Sequence, residues 1–181
     1  MDVIAGNAEH APDAAHGQPQ PEEFVAELYR AHALTLIRVA LLLLGDQPSA
    51  EDVVQDAFLG LQRGLSRLRE QDKALPYLRA SVVNGCRSVQ RSRSRAWHRR
   101  IPHEPPVWSA ESAAMASEDR RAVLAAVAGL PGRAREVLAL RYYLDLADGE
   151  IAAILGVSRS TVSSTASRAL ATLARTLREQ M

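Results

Sequence analysis

Between Lys73 and His103 the chain carries Lys73, Arg79, Arg87, Arg91, Arg93, Arg95, Arg99 and Arg100 and not one Asp or Glu. Placed at about 100° per residue, the helical increment, the segment separates into two faces. Leu75, Leu78, Val82, Cys86 and Val89 fall on one side; Tyr77, Asn84, Arg87, Ser88, Arg91 and Arg95 fall on the other. Guanidinium groups neutralise phosphates and release counterions, Asn pairs with base edges, and an aromatic ring stacks on an exposed base. Together these groups suit partly opened DNA. A solvated Arg-rich face is the plain alternative. A face that serves solubility alone intersperses both signs, and this one lacks acids throughout.

A second constellation, residues 148–162, reads Asp-Gly-Glu-Ile-Ala-Ala-Ile-Leu-Gly-Val-Ser-Arg-Ser-Thr-Val. It has the form of a helix-turn-helix: Ile151 and Leu155 point inward, Ala152 permits close helix approach, Gly156 makes the turn and Ser158 caps the next helix. Val162, Ala166, Ala169, Leu170, Leu173 and Leu177 are expected as the buried stripe of that helix. Ser160, Thr161, Ser164, Ser167, Arg168 and Arg175 lie opposite, short polar and basic groups that let a backbone approach a major groove. An ordinary helical hairpin would share the period, though not the agreement of turn and cap.

Asp52 and Asp56 stand one helical turn apart with Glu51 and Gln55 beside them. Paired carboxylates can do acid-base work, but no neighbouring histidine or apolar pocket supplies a reason for a shifted pKa, so a charged contact surface is expected. His10, His16 and His32 lack carboxylates at ligand spacing, and His98 and His103 sit in the basic stretch, which repels a divalent cation. There is neither a Gly-rich phosphate loop nor a nucleophile motif. The residues therefore imply no catalytic group, no metal and no cofactor.

The elements that position these groups must be helical. Aromatics make up 4% of 181 residues, Ala and Leu are abundant, and strand-formers never gather into alternating runs, so an all-α fold follows. Residues 1–21 lack periodicity and read as a disordered tail. A helix is expected from Glu22 to Leu44, closed by Gly45, and a second after Ser49, which with Asp52 has the pattern of a capping box. A third opens at Pro76 and runs to Arg91 or beyond. Pro102, Pro105 and Pro106 interrupt residues 96–116, a linker long enough to reach about 70 Å. Four short helices follow from Ser117, the second of them opened by Pro131. Two small helical domains result, 22–95 and 117–181.

A net charge of +1 hides the uneven distribution just described. The single Cys86 excludes an internal disulfide framework and is expected as a buried, inert thiol. The start of the chain lacks a basic-then-apolar leader, and the longest apolar run, Val39 to Leu44, falls far short of the ~20 residues that span a bilayer. A cytoplasmic protein without membrane insertion is expected.

Over residues 22–178 the order of elements resembles the extracytoplasmic-function (ECF) sigma factors of the sigma-70 family, group 4. Ala50-Glu-Asp-Val-Val-Gln-Asp-Ala-Phe58 looks like the family's polymerase-binding helix, and Tyr77-Leu-Arg through Val83-Asn-Gly-Cys-Arg87 like its promoter-opening helix. Leu130-Pro131 with Arg135-Glu-Val-Leu138 and the helix-turn-helix resemble its second domain. The resemblance implies a transcription-initiation subunit, not an enzyme, that joins core RNA polymerase at the clamp helices of the largest subunit and at the flap. Glu51, Asp52, Gln55 and Asp56 would meet the clamp. Tyr77, Asn84, Arg87, Arg91 and Arg95 would contact and melt the minus-10 element, and Arg69 to Ala74 would receive a flipped base. Arg159, Ser160, Thr161, Ser163, Ser164 and Arg168 would read the minus-35 element. Relatives often show a Lys and an Arg where this chain has Ser163 and Thr165. An anti-sigma protein is a further implied partner.

The rival reading is a stand-alone helix-turn-helix regulator that binds duplex DNA as a homodimer. It leaves the acidic surface of the second helix and the Tyr-containing basic helix unexplained. A nuclease built on the second-helix carboxylates lacks the metal constellation such chemistry uses.

Overall fold

The computed structural model describes residues 21–65, 71–98 and 118–180. Seven α-helices carry them: α1 Pro21–Leu44, α2 Gln47–Gly64, α3 Ala74–His98, α4 Glu118–Ala128, α5 Gly132–Tyr143, α6 Asp148–Leu155 and α7 Arg159–Gln180, with a 3-10 turn over Gln71–Lys73. No strand occurs among the described residues, and no described helix is long and apolar enough to cross a membrane. The expected tail lies outside the described residues except for Pro21. The expected linker begins three residues inside α3, and its remainder lies outside them.

Each helix boundary has a local cause. Gly45 adopts the left-handed conformation, φ 81°, and returns its N–H to the Leu41 carbonyl at 2.8 Å, which ends α1. Asp46 then caps α2, its carboxylate accepting the Ser49 N–H at 3.0 Å. The spacing Ser49 to Asp52 had pointed to Ser49 as the cap. The reversal at Gly45 instead brings Asp46 to the orphan first-turn N–H groups, leaving Ser49 inside the helix. Pro76 likewise falls within the first turn of α3 instead of opening it, because the 3-10 turn feeds in from Gln71 and a proline there loses no hydrogen bond.

Arg93 ties this corner together. It donates to the Leu44 carbonyl at 3.0 Å, to Ser49 Oγ at 2.8 Å and to the Asp46 carboxylate. Burial raises the Asp46 pKa, but the bonds from Arg93 and Ser49 outweigh it and hold the carboxyl below its ordinary value. One arginine of the basic stretch is thus structural.

The N-terminal core forms where the apolar faces of the first three helices meet, with Leu36, Leu43, Val54, Leu61, Leu78 and Val82 fully buried. Tyr29 meets Phe58 edge-on at 5.0 Å. Cys86 lies in the same core; burial, then the nearby Glu136 carboxylate, pushes its thiol up to about 12, so it stays protonated and inert. α2 and α3 approach closely at Gly85, where an added Cβ would sit 2.7 Å from Val53 Cγ1. Val53 is stiff about χ1 in a helix and cannot swing aside freely. Gly85→Ala is therefore expected to destabilise the bundle by about 1–2 kcal/mol, overpacking offset by the better helix propensity of Ala. Thermal unfolding checks this, with Val53→Ala in the same chain recovering part of the loss.

The C-terminal core gathers Val137, Leu140, Ile151, Val162, Ala166 and Ala169 from the last three helices. Gly156, φ 65°, turns the chain between α6 and α7, and Ser158 Oγ accepts the Thr161 N–H at 3.1 Å, as the helix-turn-helix pattern requires. Leu170, expected in the buried stripe, is instead 41% exposed. It lies about 80° around the helix from Val162, at the stripe's edge. The two units are not held apart: Val83 of α3, fully buried, belongs to the C-terminal core.

Candidate nucleic-acid interface

α2 buries Val53, Val54, Ala57, Phe58 and Leu61 and turns Glu51, Asp52, Gln55 and Asp56 to solvent. Gln47 donates to the Glu51 carboxylate at 2.7 Å; Asp52 and Asp56 have no ion-pair partner among the described residues. Two unneutralised carboxylates one turn apart make a local negative field without a structural duty. Beside them an open groove of about 550 Å³, lined by Tyr29, Phe58, Leu59 and others, reaches Gln55. The groove has an apolar floor and a mixed polar rim that includes Glu22, Arg30 and Gln55.

α3 presents Tyr77, 42% exposed, with Asn84, Ser88, Arg91 and Arg95 also exposed. Arg87 departs from this pattern. Its Nε and Nη2 donate to the two carboxylate oxygens of Glu136 on α5, at 2.6 and 2.8 Å. The Glu136 hydrogen bonds raise the Arg87 pKa against the opposing effect of burial, so the guanidinium is held charged. The bases and phosphates expected at Arg87 find that residue already occupied. Within the expected base-receiving loop, Arg69 and Glu70 lie outside the described residues, Gln71 to Lys73 are exposed, and Ala74 is buried as the first residue of α3.

On α7, Arg159, Ser160, Thr161, Ser163, Ser164 and Arg168 are all exposed on the face opposite the core. The Ser158 hydroxyl bonds to those of Thr161 and Ser160 at 2.8 and 2.9 Å, and Arg168 Nε donates to the Ser164 carbonyl at 3.2 Å. These bonds order the start of the helix and leave Arg159 open. Thr165 is half-buried. α6 is steadied by Glu150, which accepts the Ala147 N–H at 3.0 Å, and by the Arg141 to Asp148 ion pair.

Residue patterns missed the seam between the two units. Besides Arg87 to Glu136, Arg135 donates to the Leu43 carbonyl at 3.2 Å and Arg79 stands 4.0 Å from Glu150, while within α5 Arg133 also reaches Glu136 at 3.2 Å. One signal was present: Glu136 lies in a run, Ala134 to Leu140, where nearly every residue is buried, and an acid in such a run needs a cationic partner. No group of three or more His, Cys, Asp or Glu able to hold a metal occurs among the described residues.

Two family models match: sigma-70 region 2 over residues 28–96, and sigma-70, region 4, over residues 120–173. The ECF RNA polymerase sigma factor SigM of Mycobacterium tuberculosis is 32% identical over 151 residues, 83% of this chain and 76% of that protein. A probable RNA polymerase sigma factor, RfaY of Xanthomonas campestris, is 30% identical over 77% of this chain, which spans only 36% of that relative. In fold the chain is similar to the sigma factor RpoE of Bartonella quintana, solved in complex with the anti-sigma factor NepR: TM-score 0.72, 23% identity, covering 87% of this chain and 98% of that one.

Proposed function

Because the chain belongs to the sigma-70 family of RNA polymerase sigma factors, in its ECF group, we propose that it joins core polymerase and directs it to promoters with paired minus-10 and minus-35 elements. The observation that carries this reading is the pairing of two surfaces on one three-helix unit. The α2 carboxylates are exposed and free for a cationic partner, while the Tyr77 to Arg95 face of α3 is basic, polar and aromatic. Apart from Arg87, these exposed side chains lie outside the two cores.

In this reading Glu51, Asp52, Gln55 and Asp56 meet the clamp helices, where complementary charge sets encounter rate and register. Asn84, Arg91 and Arg95 hold the promoter strand as Tyr77 stacks on an unpaired base. Units 22–95 and 117–181 act in tandem: α7 enters the major groove upstream through Arg159, Ser160, Thr161, Ser163, Ser164 and Arg168, and the C-terminal unit also meets the flap. Short hydroxyl side chains at Ser163 and Thr165 shift the upstream contact from long basic groups toward the backbone and Arg168. Sigma factors are regulatory subunits of polymerase, and their activity is that of the holoenzyme. An anti-sigma protein that covers the α2 groove or the α3 face is the expected negative partner, and the cytoplasm the expected site of action.

Transcription in vitro from a genomic library, with core polymerase and this chain, tests the proposal. Start sites preceded by two shared sequence elements at fixed spacing are expected; no chain-dependent start sites would overturn it.

A further inference from the structure

Among the described residues Glu136 is the one charged group whose residue is buried, 6% exposed, and its partner Arg87 comes from the other unit. Within α5 Glu136 already has one cationic partner, Arg133 at 3.2 Å, and the link to Arg87 is the one that crosses between the units. α5 has apolar neighbours on every other buried position, and α3 has a complete apolar face without Arg87. A guanidinium fork matches a carboxylate and a phosphate equally well, two parallel N–H donors to two oxygens. Arg87 gives Glu136 both of the donors a phosphate would use.

We propose that Glu136 is an intramolecular stand-in for a promoter phosphate: it latches Arg87, and with it the α3 face, against the C-terminal unit, and it yields when nucleic acid takes its place. This inference rests on the reading of α3 as the DNA-contacting face. Further contacts lie along the same seam, among them Val127 and Ala139 of the C-terminal unit, which are buried in the N-terminal core. Val83 is fully buried against the C-terminal core, Arg135 reaches the Leu43 carbonyl at 3.2 Å, and Arg79 faces Glu150 at 4.0 Å. Among the described residues the Arg87 to Glu136 pair is the one charge pair of the seam held by two hydrogen bonds. Arg91 and Arg95, exposed and outside the seam, stay available for a first encounter. The free chain then binds DNA with an affinity lowered by the fraction of molecules that are open.

Glu136→Gln keeps the shape of the side chain and removes its charge. Measured on the full chain, it is expected to raise the radius of gyration in X-ray scattering and to tighten binding of a fluorescent single-stranded 20-nucleotide DNA by about tenfold. Arg87→Gln opens the chain in the same way without the gain in binding, since it removes the phosphate ligand along with the latch. The exchanged pair, Arg87→Glu with Glu136→Arg, returns the radius to its wild-type value. A Glu136→Gln chain that keeps the wild-type radius, or opens without tighter binding, overturns the latch. If Glu136→Gln does not fold, the exchanged pair decides, its recovery of a folded, closed chain supporting the latch and its failure overturning it. Library transcription by the wild-type chain reads the underlying function separately: a chain that transcribes while Glu136→Gln changes nothing refutes the latch alone.

Discussion

Asp52→Arg combined with Asp56→Arg is expected to abolish association with core polymerase and to leave helix content unchanged. Both carboxylates are exposed and lack ion-pair partners among the described residues, so their replacement removes no folding contact, and surface changes of this kind stay within about 0.5 kcal/mol of stability. The binding effect is far larger. Close interfacial charge pairs couple by roughly 1.5 kcal/mol or more each, and reversal converts two attractions into two repulsions. A loss of about 3 kcal/mol at the least lowers affinity by more than about a hundredfold. Gel filtration with core enzyme reads the association and circular dichroism the fold. Co-elution of the doubly reversed chain would refute the assignment of α2 to the polymerase.

Arg87→Ala with Arg91→Ala is expected to weaken promoter complexes formed by the holoenzyme and to flatten their dependence on salt. Each lost phosphate contact removes about 0.7 to 0.9 from the slope of log affinity against log salt concentration, so with Arg87 released from Glu136 in the promoter complex the pair should reduce it by about 1.4 to 1.8. Arg91→Ala alone, at an exposed residue outside the seam, should give half of that change. Filter binding across a salt series measures both. An unchanged slope with weaker binding would mean that these arginines support the fold and do not touch phosphate.

How far the sequence could be read depended on how local the cause was. The start and end of α1, the turn at Gly156, the cap at Ser158 and the outward faces of α2 and α7 follow from period, glycine and hydroxyl placement within one or two helical turns. Asp46 displaced Ser49 as a cap because the decision rests on the chain path set by Gly45, one residue earlier. Arg93 and Arg87 are a harder case. Both belong to the same acid-free run, yet one anchors the α1 to α2 corner and the other grips Glu136, 49 residues away. A helical wheel tells which face a residue occupies, not which helix will lie against that face. Val83 shows the same limit: its neighbour Val82 faces the first core while Val83 itself faces the second.

Glu136 also alters what the basic stretch means. Eight cations without an acid between Lys73 and His103 suggest a uniform electrostatic surface, but in the folded chain they divide. Arg93 is spent on structure, Arg79 and Arg87 face acids of the C-terminal unit, and Arg91 and Arg95 remain exposed. Counting charge along the sequence overstates the nucleic-acid footprint of the closed chain.

Cleavage protection on one promoter fragment, with the chain alone, core polymerase alone and the two together, tests the central claim most directly. Two protected stretches about two helical turns apart, seen only with both proteins present, are the predicted result. A single palindromic stretch protected by the chain without polymerase would contradict the account and favour a stand-alone helix-turn-helix dimer.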